Sequence, residues 1–318
     1  MAGGNPRRID VHHHFIPSNY KTRVGDRIRA QASIGDLKPL FDWTPEAALA
    51  LMDRYGVATG IVSISTPGIW FGDAAEARSI ARDCNEFAAE MMRDHPGRFG
   101  LFAAVPLPDQ DGSLREIEYA LDTLKADGIG IFTSYGDKWP GDPAFAPVFD
   151  ELNRRKAVVF VHPAAPACCR GIMPGVPPAI IEFVFDTTRA ITSLLASGTL
   201  QRCPDIRFIF CHAGGTAMPI AHRIDAWSER TPHVKQQTQG VLAALRRLHY
   251  DIATSANPAS LAALRAIVPL SQILFGSDNP FITMRVTAEG MEAAGFSDDE
   301  ARAINRDNAL RLFPRLRD

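Results

Sequence analysis

Arg8-Ile9-Asp10-Val11-His12-His13-His14 is the stretch whose reading decides the fold. It reads as a strand at its start and ends in three histidines. In a strand, residues i and i+2 share a face, so His12 and His14 project together, roughly 6–7 Å apart along the backbone. Two imidazoles so placed can share one metal, at Zn–N distances of about 2.0–2.1 Å. Pro17 follows soon after, which puts the pair at the strand's end, where the chain leaves the core. A histidine triplet alone is as well read as a solvated surface patch. Its weight comes from what recurs along the chain.

Seven further apolar or β-branched runs follow: 58–65, 99–105, 128–133, 157–162, 206–212, 248–252 and 272–278. Segments with helical periodicity lie between them, at 44–55, 73–94, 113–126, 144–155, 179–200, 240–248 and 258–267. The first of these opens Thr44-Pro45-Glu46, an N-cap followed by proline in the first turn. Near-continuous apolar strands alternating with helices predict a parallel sheet covered on both faces. Eight such units in one chain of 318 residues predict an α/β fold, a (β/α)8 TIM barrel rather than an open doubly wound sheet. No G-x-G-x-x-G follows an early strand, which argues against a dinucleotide fold.

Two stretches depart from the repeat. Residues 15–42 separate the first strand from its helix, too long for an ordinary βα loop, and carry Lys21, Arg23, Arg27, Arg29 and Lys38. They are read as a small insertion after strand 1, a lid over the barrel mouth. Residues 281–318 are read as extra C-terminal helices packed outside the barrel. No linker divides residues 1–318, so one barrel domain is expected. Lys+Arg total 34 and Asp+Glu 36, giving net −2, a balance that offers nothing to nucleic acid or an anionic membrane. No apolar run approaches the roughly 18 residues of a membrane span. The five cysteines form no C-x-x-C, and the N-terminus lacks a signal-peptide core; a reduced, cytoplasmic setting is the simplest reading.

In a (β/α)8 barrel every strand's C-terminal end opens on the face where active sites lie. His12 and His14 end the first run, His162 the fifth, His212 the sixth and Asp278 the eighth. Taken singly, His162 or His212 reads as a hydrogen-bonded structural histidine, and Asp278 as a helix N-cap. Taken together they predict a metal site. His13 falls on the opposite face, as packing or surface. Asp10 shares the parity of His12 and His14 one layer deeper, either orienting a ligand histidine or bonded within the barrel.

Asp10-x-His12-x-His14, His162-Pro163, His212-Ala213-Gly214-Gly215 and Gly276-Ser277-Asp278-Asn279-Pro280 resemble the amidohydrolase superfamily. They resemble most its branch typified by aminocarboxymuconate-semialdehyde decarboxylase, which includes γ-resorcylate and 6-methylsalicylate decarboxylases. The resemblance runs from Asp10 to the closing Asn308-Ala309-Leu310-Arg311-Leu312-Phe313. It implies one divalent metal, usually zinc and sometimes manganese, held by His12, His14, His162 and Asp278. It implies His212 as a catalytic, proton-handling residue beside the metal, with Asp278 the other catalytic candidate. Many hydrolytic relatives bridge two metals with a modified lysine ending the fourth strand. Here that strand ends Ile131-Phe132-Thr133-Ser134, and Lys138 comes only later. Several aromatic-acid decarboxylases of the branch have glutamate where His12 stands, so this chain is closer to the semialdehyde and 6-methylsalicylate enzymes.

A divalent ion can make hydroxide from bound water or hold a substrate oxygen as negative charge develops. The second use fits the implied activity, nonoxidative decarboxylation of a small aromatic or conjugated carboxylic acid. A metal-dependent hydrolase or hydratase, acting on an amide, lactone or C–C bond, uses the same ligands and is the alternative. Arg223, eleven residues after His212, is the candidate for binding substrate carboxylate, since a guanidinium fork matches a carboxylate. The resemblance has such an arginine act across a homodimer interface. A surface Arg223 paired with Asp225 or Glu229 is the competing reading. Trp70, Phe185 and Phe281 are candidate pocket walls.

Overall fold

The computed structural model describes residues 6–31, 36–169, 171–237 and 240–317. Its strands are β1 (Arg8–His14), β2 (Val57–Ser63), β3 (Phe99–Ala104), β4 (Gly128–Phe132), β5 (Val158–His162), β6 (Arg207–Phe210), β7 (His249–Asp251) and β8 (Ile273–Leu274). All pair in parallel, in chain order. The ring closes through the segment just after β8. There Val11 N donates to Phe275 O (3.0 Å), Asp278 N to His12 O (2.7 Å) and His14 N to Asn279 O (2.7 Å). The protein is a (β/α)8 barrel.

The first helices are α1 (Ser18–Gln31), α2 (Lys38–Phe41), α3 (Pro45–Arg54), α4 (Ala74–Asp94), α5 (Gln110–Glu118) and α6 (Ala146–Arg154). After β5 come α7 (Pro178–Ala196), α8 (Thr199–Arg202), α9 (Ala221–Arg230), α10 (Pro232–Gln237), α11 (Val241–Leu245) and α12 (Pro258–Arg265). The chain ends in α13 (Met284–Ala293), α14 (Asp298–Arg302) and α15 (Asn308–Leu312). Thr44 caps α3 as its sequence predicts, accepting from Ala47 N, and Asp73 caps α4 in the same way.

Alternation along the strands sorts side chains into two cores. Leu101, Ala103, Val159, Val161, Phe208 and Phe210 turn outward, to the helices. Phe102, Val158, Phe160, Ile209 and Leu274 turn inward. The tail closes the inner core from below. Ala309, Leu312, Phe313 and Leu316 belong to it, and Phe313 sits 5.8 Å from Phe102, ring centre to ring centre. Arg315 pins the tail to Asp127, ahead of β4. The C-terminal residues expected to lie outside the barrel therefore seal its floor as well.

The insertion after β1 is largely helical, and residues 32–35 lie outside the described ones. α1 buries Tyr20, Val24 and Ile28. The basic residues of this stretch are spent on holding it. Lys21 Nζ donates to the carbonyls of Phe41 (2.8 Å) and Trp43 (2.7 Å). Arg23 pairs with Asp83, Arg27 with Glu76, Arg29 with Asp26 and Lys38 with Asp42. Tyr20 Oη donates to Gly68 O (2.7 Å), joining α1 to the loop after β2.

Candidate metal centre and active site

The His-x-His element reaches the mouth by an irregularity the alternation rule does not foresee. Ile9 and Val11 face inward in the apolar core, yet so do His12 and His14. The register of β1 against β2 shifts between Asp10 and His13, a bulge that lets Val11 and His12 both point inward. Asp10 is thereby turned the other way, a correction to its expected parity. It takes no ligand-histidine ring. Its carboxylate meets His13 Nδ1 (3.1 Å) and accepts from Ser277 Oγ (2.6 Å), Ser277 N (2.9 Å) and His12 N (3.1 Å). Asp10 and His13 together clamp β1 to the segment after β8, and His13 is buried packing.

His162 ends β5, as expected. His212 and Asp278 do not end strands: β6 stops at Phe210 and β8 at Leu274. Both sit in the turns that follow, in left-handed backbone, with φ of 53° and 65°. The run Ala213-Gly214-Gly215 makes the first turn feasible. Gly215 has φ of 64°, and a Cβ there would collide with the Val184 carbonyl. For His212 the left-handed turn reverses the parity that faces Phe208 and Phe210 outward, whereas Asp278 keeps the inward parity of Leu274.

The structure brings His12, His14, His162 and Asp278 together, one donor atom from each within 4.8 Å of every other. His12 Nε2 lies 3.1 Å from His14 Nε2 and 3.4 Å from Asp278 Oδ1, and His14 Nε2 lies 3.2 Å from that same oxygen. Each imidazole is tied off on its far side. His12 Nδ1 meets Asp251 Oδ2 (3.0 Å), His14 Nδ1 meets Ser63 O (3.1 Å) and His162 Nδ1 meets Pro163 O (2.9 Å). A nitrogen facing a carbonyl or carboxylate carries the proton, so the three Nε2 lone pairs and one carboxylate face each other. Four acceptors crowded into a buried space repel unless a cation sits among them. The donor set fits a divalent ion, with three nitrogens and one oxygen.

The electrostatics follow the same geometry. Burial opposes charge on His12, but the acidic groups around it, Asp251 and Asp278 among them, hold its imidazole well above the ordinary value. Burial lowers His14 and His162. Burial would raise the Asp278 carboxyl, yet the neighbouring His12 and His14 hold it well below the carboxylate range. Asp278 keeps 13% of its side chain exposed, while the His12 and His14 side chains have none exposed.

His212 stands beside this cluster, its ring 5.0 Å from that of His12. Its Nδ1 faces Ala253 O (3.0 Å) and Thr254 Oγ1 (3.2 Å). Asp251 is the residue the sequence reading missed. It ends β7, wholly buried, and its other oxygen accepts from His212 N (3.1 Å) and Ala253 N (2.9 Å). One carboxylate thus positions both His12 and His212. The available signal was an aspartate at the end of the seventh run, in the place histidines occupy in others.

The fourth strand's end carries no lysine and is put to another use. Thr133 Oγ1 (2.5 Å), Ser134 Oγ (2.8 Å) and Trp139 Nε1 (2.8 Å) all donate to the buried Asp186 of α7. Phe281 faces His14 at 5.3 Å between ring centres, whereas Phe185 is 46% exposed. Phe183, two residues earlier on α7, has its ring 6.3 Å from that of His162. Arg223 is not brought to the cluster. It lies exposed on α9 and, among the described residues, makes no ion pair with Asp225, Glu229 or any other acid; Glu229 is taken by Lys235.

A barrel whose mouth holds three histidines and an aspartate around one point defines a class of metal-site TIM-barrel proteins. The chain belongs to the amidohydrolase family, whose profile matches residues 9–315. It is 37% identical to the 6-methylsalicylic acid decarboxylase of Penicillium expansum over 98% of this chain and 97% of that one. It is 28% identical to the γ-resorcylate decarboxylase of Rhizobium radiobacter, over 94% and 92%. A Polaromonas dihydroxybenzoic acid decarboxylase, solved with manganese and 2-nitroresorcinol, shares the fold: TM-score 0.83, 22% identity, 98% of each chain covered. Within its family the chain sorts with the carboxy-lyases.

Proposed function

We propose that this protein is a metal-dependent nonoxidative decarboxylase of a small aromatic carboxylic acid of the salicylate kind. The observation that carries the reading is the convergence of four acceptors, each histidine tied off on its outer nitrogen. His12, His14, His162 and Asp278 would hold one divalent ion, zinc or manganese. Such an ion supplies positive charge to a substrate oxygen and to negative charge that develops in the reaction. The relatives' names support an aromatic acid as substrate, and manganese in the Polaromonas enzyme supports a divalent metal.

The chemistry asked of the chain is one proton in and one CO2 out. The ring carbon bearing the carboxylate takes the proton, and the bond to CO2 then breaks. His212 is suited to deliver it: with Nδ1 committed to Ala253 O, Nε2 is the nitrogen left for transfer. Asp278, partly exposed, is the second candidate. The whole chain works as one barrel domain, and residues 15–42 serve as a lid. Tyr20 supports that role by fastening α1 to the loop at Gly68, which packs on Phe132, itself 5.9 Å from the His162 ring.

The substrate carboxylate needs a cation, and no lysine or arginine is among the leading charges acting on His12, His14, His162 or Asp278. Arg223 of a second copy would supply it. Trp227, 55% exposed on the same helix, supports a homodimer contact there.

The test is direct. Purified protein loaded with one equivalent of zinc or manganese should release CO2 from a hydroxybenzoate. Entry of solvent 18O into the product, without CO2, would make it a hydrolase or hydratase. Mixing inactive Arg223→Ala and His12→Ala chains should regenerate activity; subunit exchange without rescue would confine Arg223 to its own chain.

A further inference from the structure

The loop between β5 and α7 carries two side chains that the metal cluster does not use. Cys168 and Cys169 are neighbours in a short turn, Ala167–Cys169, in which Cys169 N donates to Pro166 O (3.0 Å). Their sulfurs lie 2.9 Å apart, a thiol–thiol contact in which either can donate. A disulfide needs its sulfurs at about 2.05 Å, so the two atoms have only a short way to travel.

Exposure separates this pair from the chain's other sulfurs. Cys84, Cys203 and Cys211 are buried, and burial pushes their thiols up, toward the unreactive protonated form. Cys168 is exposed and Cys169 half-buried. Within the pair the proton is unequally held. Cys169 is pushed up to about 11, chiefly by its hydrogen bond to Cys168. It keeps its proton and leaves attack to the exposed Cys168. Arg189 Nη2 stands 3.8 Å from Cys169 Sγ, a cation beside the sulfur.

The backbone decides how firmly a bond between the two would hold. Their peptide is trans, which sets consecutive Cα atoms about 3.8 Å apart, short of the roughly 4.4 Å at which disulfides usually begin. A bond formed here is strained and therefore easily reduced. The chain that follows has room to take up the closure: a Cβ added at Gly171 or Gly175 would meet nothing within 4 Å.

We propose that Cys168 and Cys169 are a reversible oxidation site, a vicinal dithiol whose oxidant is a peroxide. The Cys168 thiolate attacks one oxygen of hydrogen peroxide, the O–O bond breaks, and hydroxide leaves behind a sulfenic acid on Cys168. The Cys169 sulfur then displaces the hydroxyl of that sulfenic acid. Its own proton departs with the hydroxyl as water, and the S–S bond closes. The pair has given up two electrons and two protons, and the peroxide has become two waters. A small thiol reverses the change by attacking the exposed Cys168 Sγ, with Arg189 beside the departing Cys169 thiolate; a second molecule of the thiol completes the reduction. The inference does not depend on the decarboxylase reading. The loop it modifies leads from His162 into α7, the helix that carries Phe183.

The test treats the folded full chain with hydrogen peroxide, alkylates the remaining thiols with iodoacetamide in denaturant and weighs the peptides. The peptide holding Cys168 and Cys169 should lose two hydrogens and both alkylation sites. Cys84, Cys203 and Cys211 should still be alkylated in full. Glutathione added before alkylation should restore both sites. Cys169→Ser should stop at the Cys168 sulfenic acid, captured by dimedone, which the unaltered chain should not accumulate. A sulfinic acid on either sulfur without the ring overturns the site, as does a disulfide linking two chains. Loss of alkylation no faster than at the three buried cysteines overturns it too, and so does a ring that glutathione fails to open.

Discussion

The two ends of the barrel interior are both largely buried and are built on opposite principles. At the floor, Phe102, Phe160, Ile209 and Leu274 meet Phe313 and Leu316 of the tail in apolar contact, with the Arg315–Asp127 pair anchoring the tail beside them. At the mouth, His12, His14, His162, His212, Asp251 and Asp278 fill the interior with polar atoms. The floor needs nothing from outside the chain. The mouth sets lone pair against lone pair, an arrangement that a cation would relieve. Stability and chemistry are thereby kept apart along one axis, as barrels of this kind allow.

Substitutions should separate the two ends sharply. Asp278→Ala should abolish both metal retention and activity, with the apo fold nearly as stable as before. Elemental analysis and thermal melting check this, and full metal with a normal rate would end the assignment. His212→Ala should keep one metal per chain yet lose kcat by roughly 10²- to 10⁴-fold, the range of an acid–base group. Loss of the metal there would make His212 a ligand instead. Phe313→Ala should do the reverse of both, costing about 3–5 kcal/mol of stability. The rate per folded molecule should stay near normal, as denaturant titration beside active-site counting would show. The mildest change is Asp251→Asn, which leaves every ligand in place and weakens the hold on His12. Metal affinity should fall about 10- to 100-fold, as removal of an orienting carboxylate does. An unchanged affinity would reduce Asp251 to a backbone anchor.

The sequence carried the fold because each strand and helix kept its own period, and α3 and α4 announced their caps at Thr44 and Asp73. It carried the four donors because histidine and aspartate are conspicuous at the ends of apolar runs. It misplaced Asp10 because one bulge reverses parity, and a bulge leaves no signature in a run such as Asp10-Val11-His12. It missed Asp251 because a lone aspartate after Tyr250 looks like any strand end. It did not single out Phe183 because the facing of α7 against His162 is set by tertiary packing. The basic residues of 15–42 looked available, and only the structure reveals the acids and carbonyls that occupy them.

The seam between β1 and the segment after β8 joins residues far apart in the chain: Asp10 and Ser277, in direct contact, are 267 positions apart. Closing it costs more loop entropy than any pairing of consecutive strands. Asp278 stands on one side of that seam, and His12 and His14 on the other. An ion held among them is therefore also a removable staple between the two extremities of the polypeptide, applied where the ring is hardest to shut.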